Sequence, residues 1–256
     1  MSLSLNRQKV SFEIFGSLRD FLPSNRKDRK ISSPFFPGQT VKDAIEALGI
    51  PHPEVRIIVK NETISVLFSE QIQPGDCYQI YSSENTLSVI PLHFLNSIPD
   101  GDKGFILDVH LGKLARKLRM LGFDVLYRND YSDPKIVEIA AREGRTILTR
   151  DIHLLMRGQV VFGYWIRALD PNRQLEEILK RFSLINFLRP FSRCIICNGQ
   201  ILPIPMSQII DLLPQRVKKI YSEFFRCCVC QKIFWKGSHY EKMQRVLSQI
   251  LISKPA

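Results

Sequence analysis

The sequence contains no apolar run approaching the roughly 20 residues needed to cross a bilayer, which argues against a membrane-spanning helix. Its first stretch, MSLSLNRQKVSFEIFG, has neither a continuous apolar core nor a small-residue cleavage site, so it does not read as a signal peptide. The expected compartment is the cytoplasm, with no membrane partner. Internal repeats and low-complexity tracts are missing as well. Acidic side chains are outnumbered, 25 against 36 Lys and Arg, giving a formal net charge of +11. An excess of that size favours polyanionic partners, nucleic acid first and an anionic membrane surface second. The chain has 256 residues, 45% of them hydrophobic, enough to bury the cores of one to three domains. Six cysteines are present, and in the cytoplasm metal binding is a better first reading of them than disulfides.

The first eighty or so residues read as strand, strand, helix, strand, strand. VSFEIFGSL alternates, with Val10, Phe12, Ile14 and Leu18 facing inward. TVKDAIEALGI is a helix, with Thr40 as N-cap and Gly49 as terminator. EVRIIVKNETI turns at Asn61, and QPGDCYQIYS closes the region with a final strand. This order is a β-grasp pattern. It resembles the ubiquitin-like sulfur carriers, yet the strand runs on as YSSENTLSV with no Gly-Gly end to activate. A docking or substrate-presenting module is the preferred reading. The Pro- and Gly-containing stretch that follows, 87–103, reads as a linker.

FILD, then a basic helix, then DVLY make a strand–helix–strand unit, with Leu111, Leu114, Ala115, Leu118 and Leu121 on one apolar stripe. Asp133 and Pro134 open the next helix, and TILT is a further buried strand that runs into Arg150 and Asp151. Strands alternating with helices imply a mostly parallel α/β sheet, whose ligands bind beyond the C-terminal strand ends. Asp108 and Asp151 belong there. Hard carboxylate oxygens suit Mg²⁺ or Mn²⁺ at a phosphoryl-transfer site. Asp108, Asp151 and an acid from the 129–133 loop supply such a set, and Lys113 and Arg116 are the nearest phosphate contacts. Thr149 and Arg150 complete the candidate substrate residues. Each acid also has a plain reading as a helix cap or turn residue, and Asp124 reads as solvent-facing.

Cys194-x-x-Cys197 and Cys227-x-x-Cys230 are two knuckles whose four thiolates suit tetrahedral Zn²⁺ in a structural ribbon. Cys228 does not keep the two-residue spacing. Arg193, Arg226, Lys232, Lys236 and His239, interleaved with Phe234, Trp235 and Tyr240, form a candidate nucleic-acid face. The alternative is that Phe234 and Trp235 pack the small ribbon. The tail RVLSQILISKPA reads as a short amphipathic helix.

The run ILDVHLGKLARKLRMLGFDVLYRNDYSD, with EGRTILTRD, RCIICNG and FRCCVCQKIFWKGSHYEKM, resembles the mut-7 C-terminal RNase domain family, a PIN-like nuclease group. The β-grasp segment resembles the ubiquitin-like domain that often precedes it in bacteria. The resemblance implies that Asp108 and Asp151 match active-site acids, and Asp130 and Asp133 the acidic loop between them. The resemblance does not place the fourth member of the acidic quartet typical of PIN nucleases. The expected architecture is a β-grasp domain over 1–86, a linker over 87–103, a PIN-like mostly parallel α/β domain over 104–190, and a zinc ribbon with a C-terminal helix over 191–256. The expected function is Mg²⁺- or Mn²⁺-dependent hydrolysis of RNA phosphodiester bonds, with a protein partner for the β-grasp domain. The alternative is a non-catalytic RNA-binding or ribosome-associated adaptor.

Overall fold

The structure, a computed structural model, describes residues 9–27, 30–83, 95 and 104–252. It divides into two compact units, Met1–Ile98 with Asp151–Trp165 and Pro99–Arg150 with Ile166–Ala256. The expected linker, 87–103, lies outside the described residues except for Leu95, as does the end of the tail, 253–256.

In the first unit β1 (Lys9–Ile14) buries alternate residues, Val10, Phe12 and Ile14. The strand stops short of the expected Leu18. Gly16, at φ +62, turns the chain into a 3-10 segment, Gly16–Phe21, from which Leu18 still points inward. β2 (Ile31–Pro34) pairs antiparallel with β1. α1 (Val41–Ala47) starts at a capping box. The Thr40 hydroxyl accepts the Asp43 N–H at 3.2 Å, and Asp43 accepts the Thr40 N–H at 3.2 Å. β3 (Ile57–Lys60), β4 (Ile64–Ser65) and β5 (Cys77–Tyr81) complete a sheet of order β2-β1-β5-β3-β4. β1 and β5 are parallel at its centre, and the other pairs are antiparallel. This is the β-grasp arrangement. Phe12, Ile45, Ile58, Tyr78 and Ile80 fill its core, and Leu95 is buried with them.

The second unit opens with β6 (Phe105–Leu107), wholly buried because both faces of a parallel strand are covered. A 3-10 turn, Val109–Leu111, leads into α2 (Gly112–Met120), which buries Leu114, Ala115 and Leu118. Gly122, at φ +95, ends it, and a Cβ there would lie 2.2 Å from the Arg189 carbonyl oxygen. β7 (Val125–Leu126), α3 (Asp133–Glu143) and β8 (Thr146–Thr149) follow. β6 runs parallel to both β7 and β8, as the alternation of strands and helices predicts. Ser132, extended at ψ 157, is the N-cap of α3, and Asp133 is its first helical residue rather than the expected cap. There its charge faces the positive end of the helix.

α4 (Ile152–Leu155) and β9 (Gly163–Trp165) belong to the first unit. The Trp165 N–H donates to Glu54 Oε1 at 2.6 Å, and the Trp165 ring packs on Phe21 with centroids 5.1 Å apart. His52 Nε2 donates to the Val160 carbonyl at 2.6 Å, while Nδ1 lies 2.6 Å from Glu46 Oε1.

α5 (Pro171–Arg181) returns to the second unit. Asp170 is its N-cap and accepts the N–H groups of Asn172 and Arg173. β10 (Ile201–Pro203), α6 (Gln215–Ile220), β11 (Phe224–Cys227), β12 (Ile233–Trp235) and α7 (Ser238–Ile252) complete the chain. β10, β11 and β12 form an antiparallel sheet. The insert between the knuckles is built of short helical pieces. Two 3-10 turns and the short α6 flank Pro214, which removes an N–H donor. Ile209, Leu213 and Phe224 make its core, and Trp235 packs against them. Among the described residues no helix is long and apolar enough to cross a membrane.

Candidate functional site

Asp108 follows β6 and is buried, 5% exposed. Its Oδ1 accepts the His110 N–H at 2.8 Å, which caps the 3-10 turn. Its Oδ2 accepts the Thr149 hydroxyl and, at 3.0 Å, the Arg150 N–H. The carboxylate therefore ties the end of β6 to the end of β8. An ionised carboxylate offers about four lone-pair sites. Three are taken, which fixes its orientation. Asp151 follows β8 and caps α4, accepting the His153 N–H at 2.8 Å. Both aspartates thus perform the capping role that each could fill as a plain structural residue.

Asp130 is exposed and forms a two-pronged pair with Arg128 at 2.9 and 2.7 Å. That pairing holds its carboxyl below the usual aspartate range. Asp133, at the first position of α3, is half-buried. Among the described residues, Asp108, Asp130 and Asp133 do not gather into a metal-holding group.

On α2, Lys113 and Arg116 are exposed, as a phosphate-facing pair requires. Lys117 instead donates to Asn172 Oδ1 at 2.7 Å and links α2 to α5. Thr149 is fully buried, with its hydroxyl directed at Asp108. Arg150 turns its Nη1 to the carbonyls of Arg167 and Ala168, at 3.2 and 2.6 Å.

The cysteines converge. Cys194, Cys197, Cys227 and Cys230 place all four sulfurs within 4.8 Å of one another. Cys194 and Cys230 are 3.7 Å apart, and Cys197 and Cys227 3.4 Å. A tetrahedral site with Zn–S bonds near 2.3 Å needs sulfurs about 3.8 Å apart, so the set fits a metal ion such as zinc. Cys228 is exposed and outside the set.

The two knuckles share one backbone plan. The fourth residue after each first cysteine, Asn198 or Gln231, adopts positive φ, 71° and 61°. Its N–H returns to the cysteine carbonyl, at 2.9 Å from Asn198 to Cys194 and 3.1 Å from Gln231 to Cys227. The cysteine N–H in turn bonds the next carbonyl, Cys194 to Gly199 at 2.7 Å and Cys227 to Lys232 at 3.0 Å. A Cβ on Gly199 would lie 2.8 Å from Cys227 Sγ, so only glycine lets the knuckles close. Burial pushes the Cys194 thiol up to about 12 and raises Cys230. Burial also works against ionisation of Cys197, but the Gly199 N–H and the neighbouring thiols outweigh it and bring Cys197 to about 7. Binding a metal through thiolates therefore releases protons, and affinity rises with pH.

Arg119, off the apolar stripe of its helix, and Asp124, expected to face solvent, hold the knuckles in place. Arg119 is buried, 4% exposed, and donates to the Val125 carbonyl at 3.0 Å and the Ile196 carbonyl at 2.7 Å. Asp124 accepts from Arg145 at 2.8 Å and Asn198 at 2.8 Å, and pairs with Arg193 at 3.2 Å. Asn198 also takes the Val125 N–H on its Oδ1 at 3.0 Å. No local pattern marks these positions, because their partners lie far along the chain.

Residues 103–247 match the family model described as the Mut7-C RNAse domain, and residues 7–88 match the Mut7-C ubiquitin model. The chain is similar to a human protein, "Exonuclease mut-7 homolog", at 36% identity over 100 residues. That stretch covers 36% of this chain and 11% of the human protein. No solved structure gives a significant match. With its α/β sheet, its paired cysteine knuckles and a ubiquitin-like domain ahead of them, the chain belongs to the Mut7-C RNase domain family.

Proposed function

We propose that this chain is a metal-dependent ribonuclease that hydrolyses RNA phosphodiester bonds. The observation that carries the reading is the RNase-domain match, 103–247, which contains Asp108, Asp130, Asp133 and Asp151. Asp108 and Asp151 are the carboxylates that would hold Mg²⁺ or Mn²⁺, whose preference is for hard oxygen donors and which usually need only one or two carboxylates beside substrate phosphate and water. When bound, such an ion supplies a Lewis acid to the scissile phosphate. Thr149 and the Arg150 N–H keep the Asp108 carboxylate oriented. Lys113 and Arg116 meet the phosphate backbone, and Asp130 and Asp133 complete the acidic loop. The α/β region is read as PIN-like, over 104–190. The four cysteines are read as a structural zinc ribbon, since a closed thiolate set leaves no open position for catalysis. The β-grasp domain is read as a docking module for a protein partner, and the compartment as the cytoplasm.

A second reading, a non-catalytic RNA-binding adaptor, is favoured by one observation: Asp108 and Asp151 both cap helical turns. Cleavage of labelled single-stranded and structured RNA by zinc-loaded protein separates the two. The measurement is made with Mn²⁺, Mg²⁺ or EDTA, beside Asp151→Asn. The nuclease reading expects metal-dependent cleavage that Asp151→Asn abolishes while RNA binding persists. Tight binding without cleavage, or cleavage indifferent to the substitution, supports the adaptor.

A further inference from the structure

We propose that a cavity beside the cysteine knuckles receives an unpaired base of single-stranded RNA. The choice of RNA rests on the ribonuclease reading. The cavity measures about 350 Å³ and lies between the β10–β11–β12 sheet, the run 190–195 that enters the first knuckle, and the first turns of α7. That is the small end of the range of ligand pockets, about 300–1,000 Å³. None of the four proposed catalytic acids lines it.

Its lining is aromatic. Phe225 and Phe234, paired across β11 and β12, share the wall with Trp235. Phe191 and Tyr240 meet at the opposite side, with ring centroids 4.6 Å apart. All five rings are half-buried. The Tyr240 hydroxyl accepts from Gln244 at 2.5 Å, which leaves its ring as the part offered to the cavity. Phe191 sits at φ +63, a conformation disfavoured for a bulky side chain, and its N–H is held by the Met120 carbonyl at 2.8 Å. Residues strained in this way cluster at ligand clamps.

The charge is one-sided. Arg193, Lys236 and His239 line the cavity, and no acidic side chain does. Arg193 is engaged by Asp124. Lys236, which also pairs with Glu223, and His239 are exposed at the rim and can reach a phosphate. Rings for stacking beside cations suit a nucleotide, because every base has a π-face and every linkage a negative charge. An apolar protein segment would use the rings but offer no anion to the exposed Lys236 at the rim.

The test uses the full zinc-loaded chain and a fluorescent single-stranded 2′-O-methyl RNA decamer, which resists cleavage. Tyr240→Leu keeps apolar bulk and removes the π-face, and should weaken binding about five- to 150-fold. Tyr240→Phe restores stacking and should bind within about twofold of the wild type. In a Trp165→Phe background Trp235 is the only tryptophan. The decamer should quench its emission, and this holds the proposal to account even where Tyr240→Leu fails to fold. Unchanged affinity in folded Tyr240→Leu, an absence of Trp235 quenching, or no single-strand binding overturns the inference. The last result would point to a protein segment as occupant. Quenching by the decamer in a protein that never cleaves RNA sinks the ribonuclease reading alone. RNA cleavage that Tyr240→Leu leaves intact, with decamer binding unchanged, sinks the base pocket alone.

Discussion

Asp124 accepts from Arg145 and Asn198 and pairs with Arg193, joining the start of β7 to the end of α3 and to the first knuckle. Burial works to raise its pKa, but Arg145, Asn198 and Arg193 outweigh burial and hold it below the ordinary 3.8. The sign follows from linkage. A depressed carboxyl contributes stability above its unfolded pKa, and that contribution is lost as pH falls through the lower folded value. Asp124→Asn should therefore destabilise the chain at neutral pH by about 1–3 kcal/mol, the cost of leaving buried donors without a charged acceptor. It should also lessen the loss of stability below pH 3.8, because one titrating group is gone. Thermal melts of both proteins from neutral to acid pH measure this. Parallel pH curves would rule out the linkage.

At the scale of elements, the knuckles bring four cysteine sulfurs together without a large core around them. β10, β11 and β12 are short, and the insert they carry buries only a small group around Ile209, Leu213 and Phe224. In small metal-bound modules the free energy of metal binding is folding free energy, of the order of 10 kcal/mol for zinc. Chelation should melt this sheet and release the Ile196 carbonyl from Arg119 while β6 and β8 remain folded. Cys227→Ser should lose the metal, and Cys228→Ser should keep one zinc per chain, since Cys228 stands outside the cluster. Metal content and exchange protection of the β11 amides check both. Zinc lost equally from the two variants would mean that Cys228 is a ligand.

For the molecule as a whole, the chain does not lay its units end to end. It leaves the second unit after Arg150, contributes Asp151–Trp165 to the first, and returns. Within the first unit that excursion is held by His52 on the Val160 carbonyl and by Glu54 on the Trp165 N–H. His52→Ala should raise amide exchange across 151–165 by roughly tenfold or more, because a buried acceptor loses its donor. Exchange in β6 should not change. Uniform acceleration over the chain, or none in 151–165, would contradict this account of what anchors the segment.

The sequence by itself determined the features that depend on near neighbours. Alternation in Val10, Phe12 and Ile14 specified a half-buried strand, and Thr40 with Asp43 specified a cap. Spacing alone pointed to Cys194, Cys197, Cys227 and Cys230 as one set, because a tetrahedral metal site takes four ligands and two such pairs supply them. The tertiary structure decided what depends on distant partners. Arg119 and Asp124 look like surface charges along their own elements, yet both are fixed by knuckle residues more than seventy positions away. Asp151–Trp165 looks continuous with the strand before it, yet packs with residues a hundred positions earlier. Periodicity records which face of an element is buried. It does not record what buries it, because that partner is chosen by packing and hydrogen bonding across the folded chain.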